Sequence, residues 1–121
     1  MPPGWREYND ASLEEVCAYQ WSMANRMALQ AGREVPEAQW IPVRYEDIFD
    51  CPVDLFRHTF ERLGIPFGEG MEKRCLSLDR QPTSLVRGPP ARGKWRGHNR
   101  AAVEHILPTI APIMDELGCR M

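Results

Sequence analysis

Only one stretch of this 121-residue chain has the pattern of a β-strand, and this limits the folds open to it. The stretch is the short apolar segment from Trp40 to Tyr45. Pro42 within it cannot donate a ladder hydrogen bond, so a sheet edge or an irregular extended segment is expected. Since a strand needs a hydrogen-bonded partner, the segment should pair with an unrecognised part of the chain, pair outside it, or lie open as an edge.

The first and clearest helix is predicted from Leu13 to Ala31. Ser12 and Glu15 have the spacing of a capping box at its start, and Gly32 is well placed to end it. Apolar residues recur at steps of three and four, which is the helical period. The stripe that they form is expected to pack in a core: Leu13, Val16, Cys17, Ala24, Met27, Ala28 and Ala31.

A second helix is predicted directly after the strand. Asp50 is the expected N-cap, Pro52 fits the first turn because its missing N–H costs nothing there, and Gly64 should stop the helix. The segment Ile65 to Gly68 is expected to turn and fold an apolar pair back onto this helix. A further short helix is predicted from Glu69 to Leu78.

The last helix should begin near Arg100, with Asn99 as its cap, and end at Gly118. Pro108 and Pro112 each remove a backbone donor inside it. We therefore expect either a kinked helix or two short helices.

Between the last two predicted helices, Asp79 to Asn99 shows no periodicity and is rich in proline and glycine. Composition alone favours a solvated basic face. However, so long a loop within a compact domain is usually functional or disordered, and Trp95 and the Thr83-Ser84 pair favour a binding loop for phosphate or sulfate. The basic residues in and beside it are Arg80, Arg87, Arg92, Lys94, Arg96 and Arg100.

Composition excludes several classes of function. A net charge of −2 argues against a nucleic-acid binder. The four cysteines lie far apart without metal-ligand spacing, so no metal is expected and the thiols should be reduced. The start of the sequence lacks the apolar region of a signal peptide and no stretch could span a bilayer. A soluble cytoplasmic protein is therefore the expectation.

The turn that follows the predicted strand, Arg44 to Asp47, places polar side chains where α/β proteins often bind ligands. Alone, it is better explained as a structural turn. Together with other segments it resembles the C-terminal portion of P-loop-like sulfotransferases that use 3′-phosphoadenosine 5′-phosphosulfate (PAPS). The segments that carry the resemblance, in the family's order, are Trp21 to Leu29, Arg44 to Ile48, Phe60 to Phe67, Thr83-Ser84, Gly93 to Arg96 and Glu116 to Gly118.

The resemblance implies a set of cofactor-binding residues. Tyr45 would contact PAPS. The charges of Glu46 and Asp47, by contrast, favour a structural role in which they pair with nearby arginines and brace the turn. Thr83 and Ser84 would lie near the adenine, with Leu85 where the family has an aromatic residue. Two stretches are alternatives for the 3′-phosphate: Arg87-Gly88 and Arg92-Gly93-Lys94.

The resemblance also implies what the sequence lacks. No Lys-Ser-Gly-Thr-Thr-like phosphosulfate loop occurs in it, and no histidine fits the position of the general base. These parts would belong to an N-terminal half or to a partner chain. An in-frame extension upstream that encodes such a loop would support this hypothesis.

The expectation is thus a single partial domain, residues 1–121, of α/β family fold but mostly α-helical in this chain with one strand. It would supply nucleotide contacts, with no catalytic residue of its own, to an enzyme that transfers a sulfuryl group from PAPS to a hydroxyl or amine. The acceptor cannot be assigned. The alternative is a small helical protein-interaction module without catalysis.

Overall fold

The computed structural model describes residues 2–78, 80 and 93–119, and these are mostly helical, as predicted. They divide into two compact units: unit 1 (Met1–Glu37 and Gly93–Met121) and unit 2 (Ala38–Arg92). Two 3-10 helices span Trp5–Tyr8 and Glu37–Gln39. The α-helices are α1 (Leu13–Glu34), α2 (Asp47–Asp50), α3 (Pro52–Arg62), α4 (Glu69–Cys75), α5 (Trp95–His98) and α6 (Arg100–Glu116).

Unit 1 is built on α1 and α6, which lie side by side and run in the same direction. Near their starts, Glu15 Oε1 and His105 Nε2 are 3.9 Å apart. At their ends, Arg33 pairs with Glu116. Between the two contacts lie the buried residues of the pair: Ala18, Ser22 and Ile113.

The buried part of this helix pair is narrower than the predicted stripe on α1. Leu13 is 77% exposed and Met27 is 55% exposed, so the prediction that both pack in a core is wrong. Small side chains, Ala18 and Ser22, occupy the buried positions on α1 instead. A close contact to a neighbouring helix is easiest at small residues, which a pattern of large apolar side chains does not reveal.

The predicted capping box at the start of α1 is confirmed. The Ser12 N–H donates to Glu15 Oε2 at 2.8 Å, and the Glu15 N–H donates to Ser12 Oγ at 3.4 Å. The bond from the Ser12 N–H, followed by that with the Ser12 side chain, lowers the pKa of Glu15, and His105 adds a smaller lowering. The ionised carboxylate is therefore the form that stabilises this helix end.

This box gives a pH-dependent stability. Because the pKa of Glu15 is lower in the folded state, its contribution is complete above the ordinary glutamate pKa and is lost as the pH falls through the folded value. We expect Glu15→Gln to be less stable at neutral pH and to unfold with a weaker dependence on pH between about 5 and 3. Denaturant unfolding across this range measures the effect. Glu14→Gln, in the same turn but outside the box, is the control; equal pH slopes for the two variants would contradict the prediction.

The end of α1 differs from the prediction. The helix continues through Gly32 to Glu34, and Val35 is its extended C-cap, with φ −107° and ψ 155°. Pro36 explains this end, because a residue before proline is sterically disfavoured in helical geometry. A glycine within a helix costs only about 1 kcal/mol, so Gly32 weakens the helix without ending it.

Unit 2 contains no strand among its described residues, so the predicted strand at Trp40 to Tyr45 is wrong. Residues 40–44 have no regular secondary structure, and residues 45 and 46 form a turn. No neighbouring strand among the described residues offers backbone hydrogen bonds to this segment. Instead, the Arg62 side chain donates to the carbonyl oxygen of Trp40 at 3.4 Å.

The start of α3 agrees with the prediction at Pro52 but not at Asp50. Pro52 is in the first turn, as predicted. Asp50 is already the last residue of α2, and Cys51 takes the N-cap position without a side-chain cap bond. The Cys51 N–H donates to the Asp47 carbonyl at 3.2 Å, which closes the preceding helical turn and draws Asp50 into it.

The end of α3 follows the prediction. Gly64 has φ +66°, and its N–H donates to the Glu61 carbonyl while the Ile65 N–H donates to the Phe60 carbonyl, at 3.0 and 2.9 Å. This pair of bonds is the Schellman motif, which favours glycine at the left-handed position. The chain then folds back, and the Phe67 ring meets Phe60 edge to face at 5.6 Å between centroids.

The short helix α4 ends at Cys75, earlier than the predicted Leu78. Residues 76–78 form a turn instead, in which the Leu78 N–H donates to the Cys75 carbonyl at 3.3 Å. Cys75 is buried, and burial raises the pKa of its thiol. None of the four cysteines, all of which are among the described residues, forms a disulfide.

In unit 1, α6 begins at Arg100, as predicted, and Gly118 follows its end with φ +66°. Asn99 holds the N-cap position but makes no side-chain cap hydrogen bond. Pro108 and Pro112 lie within one continuous helix, so the alternative of two short helices is wrong. Both prolines are exposed. Because they are four residues apart, they lie on the same face of the helix, and this face is the solvent side.

Candidate functional site

The turn at residues 44–47, which we call the Tyr45 turn, is held by an ion pair between its first and last residues. Arg44 Nε donates to Asp47 Oδ2 at 3.0 Å, and Arg44 Nη2 donates to Asp47 Oδ1 at 2.7 Å. The Asp47 N–H also donates to the Arg44 carbonyl at 3.2 Å. Two parallel bonds between guanidinium and carboxylate fix orientation as well as distance. The predicted bracing role of Asp47 is therefore confirmed.

Tyr45 is displayed by this braced turn. Tyr45 is 61% exposed. Its ring contacts Phe49 edge to face, with centroids 5.0 Å apart and planes at 80°. That contact supports one edge of the ring and leaves a phenol with a hydroxyl that can donate or accept a hydrogen bond. The arrangement suits a side chain that meets a ligand, and it does not contribute to a core.

Gly93 and Lys94, the other described members of the predicted site, form the turn that leads into α5. Gly93 has φ +67°, and its carbonyl accepts from the Arg96 N–H at 3.0 Å. The Arg96 side chain also comes within 3.7 Å of the place where a Cβ on Gly93 would lie. The guanidinium of Arg96 then lies 5.4 Å from the centroid of the Trp95 ring. This glycine is needed by the turn itself, whatever ligand the loop takes.

The structure brings only part of the predicted set together. Gly93 and Lys94 share one turn in unit 1, whereas Tyr45 belongs to unit 2. Thr83, Ser84, Arg87 and Arg92 lie outside the described residues. The assignment of these residues to one nucleotide site therefore stays a prediction.

The described residues show no arrangement for metal chemistry. Within residues 2–78, 80 and 93–119, no group of three or more histidine, cysteine, aspartate or glutamate side chains could hold a metal ion. His105 lies beside Glu15 on the helix pair of unit 1, which is a structural position. Across the same residues, no helix has both the length and the apolar character needed to cross a membrane.

One group of residues was not identified from the sequence as a candidate site. The rings of Tyr8 and Tyr19 stack with centroids 4.2 Å apart and planes at 24°. The Tyr19 hydroxyl donates to the Pro3 carbonyl, and burial, with smaller contributions from Tyr8 and Glu7, raises the pKa of that hydroxyl. The aromatic residues near the start of the sequence were the available signal. The sequence did not show which side chain these residues contact; in the structure, Tyr19 of α1 stacks on Tyr8.

Comparison with known proteins adds no relative to these observations. No protein-family model, no curated protein and no solved structure matches the chain. The link to PAPS-dependent sulfotransferases therefore stays a resemblance carried by the chain's own residues, from about residue 13 to 118.

Proposed function

We propose that this chain is the C-terminal part of a PAPS-dependent sulfotransferase. It supplies contacts to the nucleotide end of the cofactor and does not transfer a sulfuryl group by itself. The observation that supports this most is the braced Tyr45 turn. Within the segment that resembles the family, Arg44 and Asp47 hold each other, and Tyr45 is left exposed.

This geometry separates the roles of the turn's residues. A phosphate ligand is best bound by a guanidinium with free donors, but Arg44 uses two of its nitrogens on Asp47. We therefore assign the phosphate contact to the later loop, at Arg87 or Arg92, with Gly93 and Lys94. Tyr45 takes a hydrogen-bonding contact to the nucleotide, and Thr83 and Ser84 lie near the adenine.

The reaction of the complete enzyme would be in-line transfer of a sulfuryl group from PAPS to a hydroxyl or amine. Catalysis of such a transfer depends on donors aimed at the charge that develops in the transition state. The sequence contains no Lys-Ser-Gly-Thr-Thr-like loop to provide them at a helix N-terminus. The chain alone is therefore proposed to bind adenosine 3′,5′-bisphosphate weakly and to be inactive.

Calorimetry with adenosine 3′,5′-bisphosphate tests the site. We expect a dissociation constant between about 1 μM and 1 mM. Tyr45→Phe keeps the ring that contacts Phe49 and removes only the hydroxyl, so the loss should be about threefold to tenfold, the value of one hydrogen bond. Tyr8→Phe is the matched control. An equal loss in both variants would contradict the role of Tyr45.

The basic loop is tested in the same titration. Arg87→Ala or Arg92→Ala, whichever residue contacts the 3′-phosphate, should weaken binding about tenfold or more, because a charge-assisted hydrogen bond is lost. Arg26→Ala removes an exposed charge from α1 and should change nothing. Micromolar affinity that neither loop variant alters would overturn the site assignment. Sulfation catalysed by the isolated chain would overturn the proposal of inactivity.

A second candidate function is a helical interaction module, and one observation favours it. Unit 2 exposes large apolar side chains at and after the ends of its helices: Leu63 at 56%, Ile65 at 47% and Leu76 at 60%. Large apolar side chains left exposed on a surface mark a contact with another protein when they form a contiguous patch. The bisphosphate titration separates the candidates, since a module of this kind has no reason to bind the nucleotide.

A further inference from the structure

A cavity of about 240 Å³ lies within unit 1, between the 3-10 helix Trp5–Tyr8 and the first turns of α1. Three of its seven lining residues are aromatic and two carry side-chain amides. The lining includes Trp5, Tyr8, Asn9, Val16, Tyr19 and Gln20. Of the residues assigned to the nucleotide, none that the structure describes lines this cavity, so it is independent of the proposed sulfotransferase site.

The walls of this cavity are held in place by the protein itself. Tyr8 and Tyr19 stack on each other, and the Tyr19 hydroxyl is held by the Pro3 carbonyl. The Arg6 guanidinium lies 4.9 Å from the centroid of the Trp5 ring. A cavity whose aromatic walls are ordered before a ligand arrives loses less conformational freedom on binding.

The chemistry of the lining limits the kind of ligand. Among the described residues, no charged side chain lines the cavity. Arg6 beside Trp5 and Glu7 near Tyr19 carry opposite charges, so no excess of one sign compensates a phosphate or an ammonium group for its lost hydration. Aromatic side chains favour stacking on a flat ring, which is tolerant of the ring's identity. Asn9 and Gln20 each carry both a donor and an acceptor. A side-chain amide can therefore make two bonds with a ring edge that offers the complementary pair, as it does with a nucleobase.

The size of the cavity agrees with one ring. A cavity of roughly 150 Å³ is sufficient for a benzene molecule, whereas sites for drug-sized ligands usually begin near about 300 Å³. At about 240 Å³, the cavity can take a substituted ring but not a whole nucleotide.

We propose that this cavity, named the Trp5 cavity, binds an uncharged planar ring with an amide or imide edge. The ring stacks on the aromatic side chains, and the amides of Asn9 and Gln20 bond to its edge. Thymidine is a suitable probe because it is neutral, carries an imide edge and lacks adenine, so its binding does not report on the proposed PAPS site.

Two-dimensional amide NMR of the full chain during a thymidine titration is the test. We expect shifts confined to residues 2–20 and to the Trp5 indole, with a dissociation constant near about 1 mM, as for a small fragment. Thymine alone should reproduce the shifts and deoxyribose should not. Shifts that centre elsewhere, or no shift at the solubility limit of thymidine, would overturn the proposal.

A pair of matched variants tests the amide contact. Gln20→Leu removes an exposed amide at the cavity and should weaken thymidine binding about fivefold, as expected for one hydrogen bond. Gln30→Leu makes the same change on the same helix, where the side chain pairs with Glu34, and should have no effect on binding. Because both positions are exposed, neither change should unfold α1. Equal affinities in the two variants would show that the amide is not used and would overturn the assignment.

Discussion

Ile113→Ala is expected to lower the free energy of unfolding by about 2–5 kcal/mol, the range found when a large buried aliphatic side chain is truncated. Ile113 is 2% exposed and is the one large apolar residue in the described part of unit 1 that is buried. The buried residues of the neighbouring helix α1, Ala18 and Ser22, have small side chains that cannot extend into the space. Since a domain of this kind has only about 5–15 kcal/mol of stability in total, the loss should be evident at room temperature.

Two further variants calibrate this experiment. Ile113→Val removes one methyl group and should cost only about 0.5–1.5 kcal/mol. Leu13→Ala shortens an aliphatic side chain on α1 that is 77% exposed and should cost about 0.5 kcal/mol or less. Urea unfolding followed by circular dichroism gives all three values. If Leu13→Ala costs as much as Ile113→Ala, unit 1 does not have its core where the structure places it.

Pro108→Ala is expected to raise the free energy of unfolding by about 2 kcal/mol. A proline inside a helix costs about 3 kcal/mol relative to alanine. It removes one backbone hydrogen bond and forces its ring against the carbonyl four residues earlier. The net increase in stability is smaller by about 0.4–1 kcal/mol, because alanine allows the unfolded chain more conformations than proline does. Pro108 is exposed, so the substitution removes no core contact.

The control for this variant is Pro36→Ala, a proline outside the helices. Pro36 is also exposed and follows the residue that ends α1. Removing it should be neutral or slightly destabilising, since only the restriction of the unfolded chain is lost. Thermal unfolding of both variants should therefore give midpoint shifts that differ in sign or in size. A lower midpoint for Pro108→Ala would contradict the prediction.

The local features of this fold were predictable because their causes are local. The Ser12–Glu15 box, Pro52 in a first turn and the glycines at positions 64 and 118 each depend on a few neighbouring residues, and all are confirmed. The predictions that failed concern positions where a neighbouring element or residue favours a different helix boundary. The helix α1 continued through Gly32 and ended only at Val35, where the following Pro36 disfavours helical geometry. Asp50 did not cap α3 because it is already the last residue of α2.

The candidate site was predictable to a smaller extent. The bracing of the Tyr45 turn was predicted as a pairing of Glu46 and Asp47 with nearby arginines, and the structure shows that Arg44 is the partner of Asp47. The Trp5 cavity could not be predicted, because Tyr8 and Tyr19 come from different elements and meet only when the start of the chain packs on α1. The buried face of α1 was missed for a related reason, since Ala18 and Ser22 become important only beside α6.

The parallel course of α1 and α6 has a consequence for how unit 1 is made. These two helices are joined by residues 35–99, which include α5, and the pair between Arg33 and Glu116 spans 83 positions. During synthesis α1 emerges from the ribosome long before α6 exists, whereas residues 38–92 of unit 2 are complete before α6. Unit 1 therefore cannot assemble until the whole of unit 2 has been synthesised.

The same connection also sets the entropy of closing unit 1. Loop-closure cost rises by about 0.6 kcal/mol for each doubling of length. A linker a quarter as long would thus make unit 1 easier to close by about 1.2 kcal/mol, provided that it reaches. Because the helices are parallel, it must return along the length of α1, whose 22 residues span about 33 Å. Unit 2 is thus inserted in the connection between α1 and α6, which has to be long because the two helices are parallel.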